Sequence, residues 1–267
     1  MQNMHNLPGQ ITALFKQETI PSDALSIVEK VIAGLDDGSI RVVEKKDQIY
    51  EVNEWVKQAI LLYFKLKGIE KLDSGSFYDK IPLKTFANSV NRIVPYSSCR
   101  YGSYIAPKVI VMAPSFVNIG AYVDSDVLID SLVLVGSCAQ IGKSVHIGAG
   151  TVIGGVLEPP NSKPVIIEDN AFIGGNCGIY EGVQIDQHAV IGAGCIITSK
   201  TPIVDINTGK EYFGHVPQNS VVVPGGRIKE VNGHKFILQS PIIIKMRDPQ
   251  ISAKLVLEES LREFIMV

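Results

Sequence analysis

Aliphatic residues recur every six positions through the middle of the chain. Ile105, Val111, Val117, Val123, Ile129, Val135, Ile141, Ile147 and Ile153 follow without a gap, and after "GGVLEPPNSKPV" the series resumes at Ile167, Ile173, Ile179, Ile185, Ile191 and Ile197. A spacing of six fits neither a helix nor the simple alternation of a strand. It fits a hexapeptide solenoid, in which each hexad supplies one short strand and one turn. The residue after the aliphatic is often Gly, Asn or Asp, as at Asn118, Asp124, Gly136, Gly142, Gly148, Gly174, Asp186 and Gly192. These types are expected to take the left-handed corner. Four positions after the aliphatic stands a small or β-branched residue such as Ala121, Val133, Ala139, Thr151, Cys177 or Cys195, suited to a narrow interior corner.

The pattern resembles that of the left-handed parallel β-helix, where three hexads close one triangular coil. The handedness rests on that resemblance, because parallel crossovers are normally right-handed. Fifteen hexads predict about five coils and, at about 4.8 Å per coil, a prism about 25 Å tall. Cys177 and Cys195, one coil apart, are expected to stack inside it as small core residues. The interruptions predict loops near 154–166 and 199–219.

The flanks read differently. In "PSDALSIVEKVIAGLDDG" the residues Leu25, Val28, Ile32 and Leu35 follow a helical spacing, with Ser22 as the expected cap and Gly38 as the stop. "NEWVKQAILLYFKLKG" repeats this, with Asn53 as cap, Val56, Ile60 and Tyr63 on one face, and Gly68 at the end. A short hairpin is expected between them. The fold class is therefore mainly β: an N-terminal α-helical domain over 1–91, the β-helix over 92–225, and a C-terminal hairpin and helix over 226–267. Asn232-Gly233 suits a type I′ turn in that hairpin. The flanking segments are expected to cap the open ends of the prism.

Composition narrows the function classes. Across 267 residues the formal charge is −2, which gives no basic field for nucleic acid, and no apolar run reaches the length of a membrane span. The N-terminus lacks a signal-peptide pattern, and the four cysteines show no CxxC spacing. A reduced, cytoplasmic protein is expected.

Five stretches carry a family resemblance: "SFYDKIPLKTF", "RIVP", "PSFVNIGAYVD", "VGSCAQIGKSVHIGAGTVIGGVLEP" and "VIIEDNAFIG". Through them the chain resembles the bacterial tetrahydrodipicolinate N-succinyltransferases, in register from about residue 22 into the C-terminal hairpin. The resemblance implies transfer of a succinyl group from the co-substrate succinyl-CoA to the amino group of ring-opened tetrahydrodipicolinate, in lysine and diaminopimelate biosynthesis. It implies a homotrimer with active sites between neighbouring prisms, and no permanently bound cofactor or metal. The loop after Ile153 would cover the pantetheine arm, with Gly154 and Gly155 allowing close approach and Lys163 meeting an acidic group of coenzyme A.

An amine attacking a thioester needs a neutral nitrogen, a positioned carbonyl and donors for the developing oxyanion. By the resemblance, Asp130 binds the substrate ammonium and assists its deprotonation, and Arg92 binds a carboxylate. An ordinary aspartate is a weak base, so orientation is the larger expected share of its role. Arg100 and Lys143 are further candidates for acidic groups. Cys138 is not expected to act as a nucleophile, since direct transfer requires none.

The chain departs from the family pattern at "NCGIYEG", where Gly178 stands in place of an expected acid and Glu181 remains as the second carboxylate. "MAPS" is also one residue longer than expected. Three other readings stay open: an acetyl-CoA-dependent N-acyltransferase, a carbonic-anhydrase-like metal enzyme and a non-catalytic scaffold. For the metal enzyme the repeat supplies only His146 and His188, a poor zinc site.

Overall fold

The computed structural model describes residues 6–21, 23–47, 49–72, 77–86 and 90–265, with side chains in the last helix as far as residue 263. Each of the fifteen aliphatics is the second residue of a two-residue strand and is buried. Residues 18 apart pair in parallel, as Tyr104 with Tyr122 and Tyr122 with Gln140. Each strand donates its backbone N–H to the coil above: Leu128 to Val145 at 3.0 Å, Leu134 to Thr151 at 3.1 Å, Tyr122 to Ala139 at 2.9 Å. Repeated around the coil, these bonds build the three flat sides of a left-handed parallel β-helix.

Three rows of outward residues mark those sides. One face carries Arg92, Ile110, Leu128, His146, Phe172 and Val190; the next carries Ser98, Phe116, Leu134, Val152, Gly178 and Ile196; the third carries Tyr104, Tyr122, Gln140, Ile166, Gln184 and His215. We call them the Arg92, Gly178 and Tyr104 faces. The inward rows form one core, with small buried polar residues such as Ser115 and Thr151 among them. Thr151 Oγ1, for example, donates to Gly174 O at 2.9 Å and accepts from Cys177 N at 3.2 Å. Cys177 and Cys195 are buried free thiols in adjacent coils of this core, as expected.

The prism is taller than the sequence suggested. Ile93, Cys99, Val216 and Val222 continue the inward rows, adding two hexads at each end. The total is a little over six coils, about 30 Å at the usual strand spacing. Cys99 hides the first extension because it breaks the aliphatic series. The second is hidden because Val216 follows Ile197 by 19 residues, out of phase with the repeat.

The left-handed corner residue also differs from expectation. It lies three positions after the aliphatic, at Gly102, Lys108, Gly120, Asp126, Leu132, Cys138, Ser144, Gly150, Asn170, Asn176, Gly182, His188 and Gly194. The position directly after the aliphatic is constrained for other reasons. Asn118, Asp124 and Asp130 turn back to accept the next residue's N–H at 2.9, 2.6 and 2.7 Å. At Gly136, Gly142, Gly148 and Gly174 the next coil is too close for a side chain. A Cβ on Gly136 would lie 2.2 Å from Gly155 N, and one on Gly174 would lie 2.5 Å from Ala193 N.

The helical domain does not cap the prism's end. Helices α1 (Leu7–Phe15), α2 (Ala24–Asp37) and α3 (Glu54–Leu66) pack with Ile119, Cys138 and Ile166, against the edge between the Gly178 and Tyr104 faces. Helix α1 escaped the sequence reading. The expected cap Ser22 lies outside the described residues, Gly38 ends α2 in the left-handed conformation, and Asn53 precedes α3 but donates its amide to Arg41 O at 2.8 Å instead of capping. The hairpin of β1 (Val43–Lys46) and β2 (Ile49–Val52) reaches over the Tyr104 face, where Lys45 and Tyr50 meet Glu168 at 2.9 and 2.6 Å.

Phe86 packs against the core at the first coil, and Ile203, Tyr212 and Ile243 cover it beyond the last. Helix α4 (Ala253–Ile265) lies on the Arg92 face, with Val256 and Leu257 in a cluster with Val190, Val221 and Phe172. The C-terminal hairpin, strands Gly226–Val231 and His234–Gln239, is exposed throughout and caps nothing.

The close approach of successive coils generates a prediction. Gly136→Ala should lower the free energy of unfolding by about 1–3 kcal/mol through overpacking against backbone. Gly68→Ala, where no atom lies within 4 Å of the new Cβ, should change it by less than about 0.5 kcal/mol. Urea titrations of the two variants make the comparison.

Candidate active site

Asp130 stands at the edge where the Arg92 face turns into the Gly178 face. Its backbone is fixed by Asp130 N to Ile147 O at 3.0 Å and by Ser115 Oγ to Asp130 O at 2.8 Å. Its Oδ1 accepts from Ser131 N at 2.7 Å. Its Oδ2 makes no hydrogen bond to any described residue, so one carboxylate oxygen is positioned by the turn and the other is available. Beside it lies a shallow groove of about 360 Å³ lined by Tyr96, Pro114, Phe116, Leu132 and Leu134. Leu132 and Tyr96 are 65% and 92% exposed there, a large apolar surface for a charged edge to border.

His146 is a neighbour that sequence reasoning weighed only as a metal ligand. It pairs with Leu128 one coil below and stacks on Phe172 with ring centroids 4.8 Å apart. Burial pulls the imidazole below its ordinary pKa, against the opposing charge of Asp130, so the ring is neutral at neutral pH. Arg92 is exposed on the first strand of the same face, two pairings from Leu128 through Ile110. The two coils between them correspond to about 10 Å along the prism axis. Arg92 and Asp130 thus share one end of the prism without touching.

The other residues gather at the opposite edge of the Gly178 face. The loop leaves the prism at Gly154, and a Cβ on Gly155 would lie 2.6 Å from Ser137 N, so its root lies directly against the coil below. The loop is anchored, not free. Val156 N donates to Ser137 O at 3.0 Å, Leu157 packs into the helical domain, and Gly182 N donates to Lys163 O at 3.0 Å. Lys57 of α3, fully buried, donates its ammonium to Ser162 O at 2.6 Å. Burial lowers the Lys57 pKa, and this contact was invisible in the sequence because its partners are 105 residues apart.

Lys163 points away from that edge. Its ammonium donates to Gln184 Oε1 at 2.7 Å on the Tyr104 face, and Gln184 in turn donates to Asp186, which meets His215 Nε2 at 2.7 Å. Burial favours the protonated Asp186, but hydrogen bonds from His215 and Gln184 outweigh it and hold the carboxyl below its ordinary value. Glu181 is exposed two residues after Ile179. Gly178 lies under Tyr180: a Cβ there would meet the ring Cε2 at 2.6 Å and the hydroxyl at 2.9 Å.

Two weaker candidates are resolved by their neighbours. Arg100 donates to Asp79 Oδ2 at 2.7 Å and Asn118 Oδ1 at 3.2 Å, which commits it to a structural ion pair. Lys143 is exposed on the third edge, away from both groups. Cys138 is fully buried beneath the helices, and burial pushes its thiol up to about 12. Among the described residues no group of three His, Cys, Asp or Glu side chains is placed to hold a metal ion.

Two sequence patterns match. The one described as "Tetrahydrodipicolinate N-succinyltransferase N-terminal" covers residues 7–66, and "Hexapeptide repeat of succinyl-transferase" covers residues 164–199. A 2,3,4,5-tetrahydropyridine-2,6-dicarboxylate N-succinyltransferase of Acinetobacter baylyi is 45% identical over 259 residues, spanning 94% of each chain. One from Polynucleobacter asymbioticus is 45% identical over 257 residues, spanning 92% of each.

The chain belongs to the tetrahydrodipicolinate N-succinyltransferase family.

Membership extends across both the helical domain and the prism. Among solved structures, a putative 2,3,4,5-tetrahydropyridine-2-carboxylate N-succinyltransferase from Campylobacter jejuni aligns with 85% of this chain and 64% of its own, at 14% identity and a TM-score of 0.43.

The burial of every cysteine yields a test. A thiol reagent at pH 8 should label fewer than one of the four cysteines in the native protein and all four after denaturation. Cys138→Ala should keep activity within about threefold, as expected for a packing residue and not a nucleophile.

Proposed function

We propose that the chain transfers the succinyl group of succinyl-CoA to the amino group of ring-opened tetrahydrodipicolinate, giving the N-succinyl product and free coenzyme A. The observation that carries this reading is the correspondence, over 94% of the chain, with relatives named for that activity. In the reaction the amine nitrogen attacks the thioester carbonyl, the C–N bond forms, the C–S bond breaks, and the proton lost by nitrogen balances the departing thiolate. Asp130 holds the substrate ammonium through its available Oδ2 and assists loss of its proton. Arg92 takes a carboxylate of the elongated dicarboxylate substrate. The loop root at Gly154 and Gly155 receives the pantetheine arm, Glu181 at the same edge is the second carboxylate of the catalytic pair, and Lys163, held by Gln184 on the Tyr104 face, is left out of the donor site.

The assembly we propose is a homotrimer. Asp130 and the loop root lie at opposite edges of one face, roughly 15 Å apart across a hexad's extended width. An attacking amine and its thioester carbon must approach to about 3–3.5 Å. A neighbouring copy that sets its loop edge against the first copy's Asp130 edge closes that distance, and cyclic symmetry repeats the contact three times. The exposed apolar groove at Tyr96, Leu132 and Leu134 supports such a contact. Assembly in the cytoplasm, with no resident metal or cofactor, completes the reading.

Thiol release from succinyl-CoA with tetrahydrodipicolinate, compared with acetyl-CoA, tests the function. Release with succinyl-CoA at the higher rate supports it, faster release with acetyl-CoA indicates the alternative donor, and no release with either removes the enzyme reading. Asp130→Ala should lower kcat by about 10²–10⁴-fold, while a loss under threefold would return the residue to a purely turn-forming role.

A further inference from the structure

The Tyr180 phenol, next to the inward Ile179, has no hydrogen-bond partner among the described residues. Its backbone is locked from both sides, with Tyr180 N donating to Ile197 O at 2.9 Å and Tyr180 O accepting from Val183 N at 3.2 Å. Its ring lies across the outside of the Gly178 face. Gly178 does not take the left-handed conformation, so its backbone does not require glycine. What crowds the position is mainly the ring: a Cβ at 178 would fall 2.6 Å from Cε2 and 2.9 Å from the hydroxyl of Tyr180, with Ile196 Cδ1 also at 2.9 Å. Gly154 clears the other side, where a Cβ would stand 3.1 Å from Tyr180 Cα and 3.3 Å from its Cδ1. Two glycines therefore leave a slot that the phenol fills, and the hydroxyl makes no hydrogen bond to any described residue.

The place of the slot limits its use. Tyr180 stands between the two roots of the loop, with Gly154 at the exit and the Lys163–Gly182 bond at the return. Val152 and Ile196 flank Gly178 along the face. A neutral O–H donor set among aliphatic side chains suits an uncharged acceptor on a long, mostly aliphatic ligand. It suits a charged dicarboxylate poorly, because the ammonium of Lys163 is already committed to Gln184. Resting on the acyl-CoA reading above, we infer that Tyr180 binds the acyl donor, its hydroxyl donating to an amide carbonyl of the pantetheine arm where that arm passes the loop root.

This assigns Tyr180 to donor binding and not to the bond-making step, so the two kinetic constants should separate. In Tyr180→Phe, which removes only the hydroxyl, KM for succinyl-CoA should rise about 5–10-fold, with kcat and the KM for the amine substrate within twofold. Calorimetric titration of the same variant with coenzyme A should show Kd weakened by a similar factor. Donor KM and coenzyme A Kd both within twofold of the unsubstituted protein would overturn the assignment, as would a fall in kcat with KM unchanged. If the unsubstituted protein neither binds coenzyme A nor releases thiol, the acyl-CoA reading fails and Tyr180's role fails with it. If it does both and Tyr180→Phe matches it, only the role of Tyr180 falls.

Discussion

The prism depends on one hydrogen bond repeated around it, the backbone N–H of each strand donated to the carbonyl of the coil above. That bond holds residues 18 apart in register, and register decides which side chains face inward. Two-residue strands are too short to be stable alone, so they exist only as parts of the stacked faces. The six-residue row of aliphatics is the consequence, because each strand offers one inward position and the narrow prism admits one branched side chain there. The same spacing brings successive backbones so close at the edges that Gly136, Gly148 and Gly174 cannot carry side chains.

The periodic core was readable because its constraint falls on one residue type at one spacing. The left-handed corner was misplaced because its Gly, Asn and Asp residues are mixed with Lys108, Leu132, Cys138, Ser144 and His188, which blur the signal at that position. Glycine directly after the aliphatic looked like a turn residue, yet it answers to the next coil's backbone. The helical domain was visible from its apolar spacing, while its seat on a lateral edge was not, since Ile119, Cys138 and Ile166 become its partners only once the coils are stacked.

The site shows the same division. The interruption after Ile153 marked the loop, but Lys57, Leu157 and Ser162 show that the loop is part of the domain interface, a fact no local pattern carries. Arg100 looked like a ligand for acidic groups and is instead bound to Asp79. The departure at Gly178 has a steric reason in the Tyr180 ring, which neither residue reveals alone. Asp130 and the loop root are both adjacent to the Gly178 face, on opposite edges, and a sequence gives no sign of that distance.

The central claim is that catalysis needs the Asp130 edge of one copy and the loop edge of another. Mixing two damaged proteins tests it directly. Asp130→Ala damages the first edge; Gly178→Trp fills the second face and displaces the Tyr180 ring and the Ile196 side chain, which lie 2.6 and 2.9 Å from a Cβ there. Each variant alone should be nearly inactive. Unfolded together in equal amounts and refolded, they should regain roughly a quarter of full activity, the fraction of interfaces that receive two intact edges in a randomly assembled ring. Activity that stays at the level of the separate variants, from well-folded mixed assemblies, would contradict a site shared between copies.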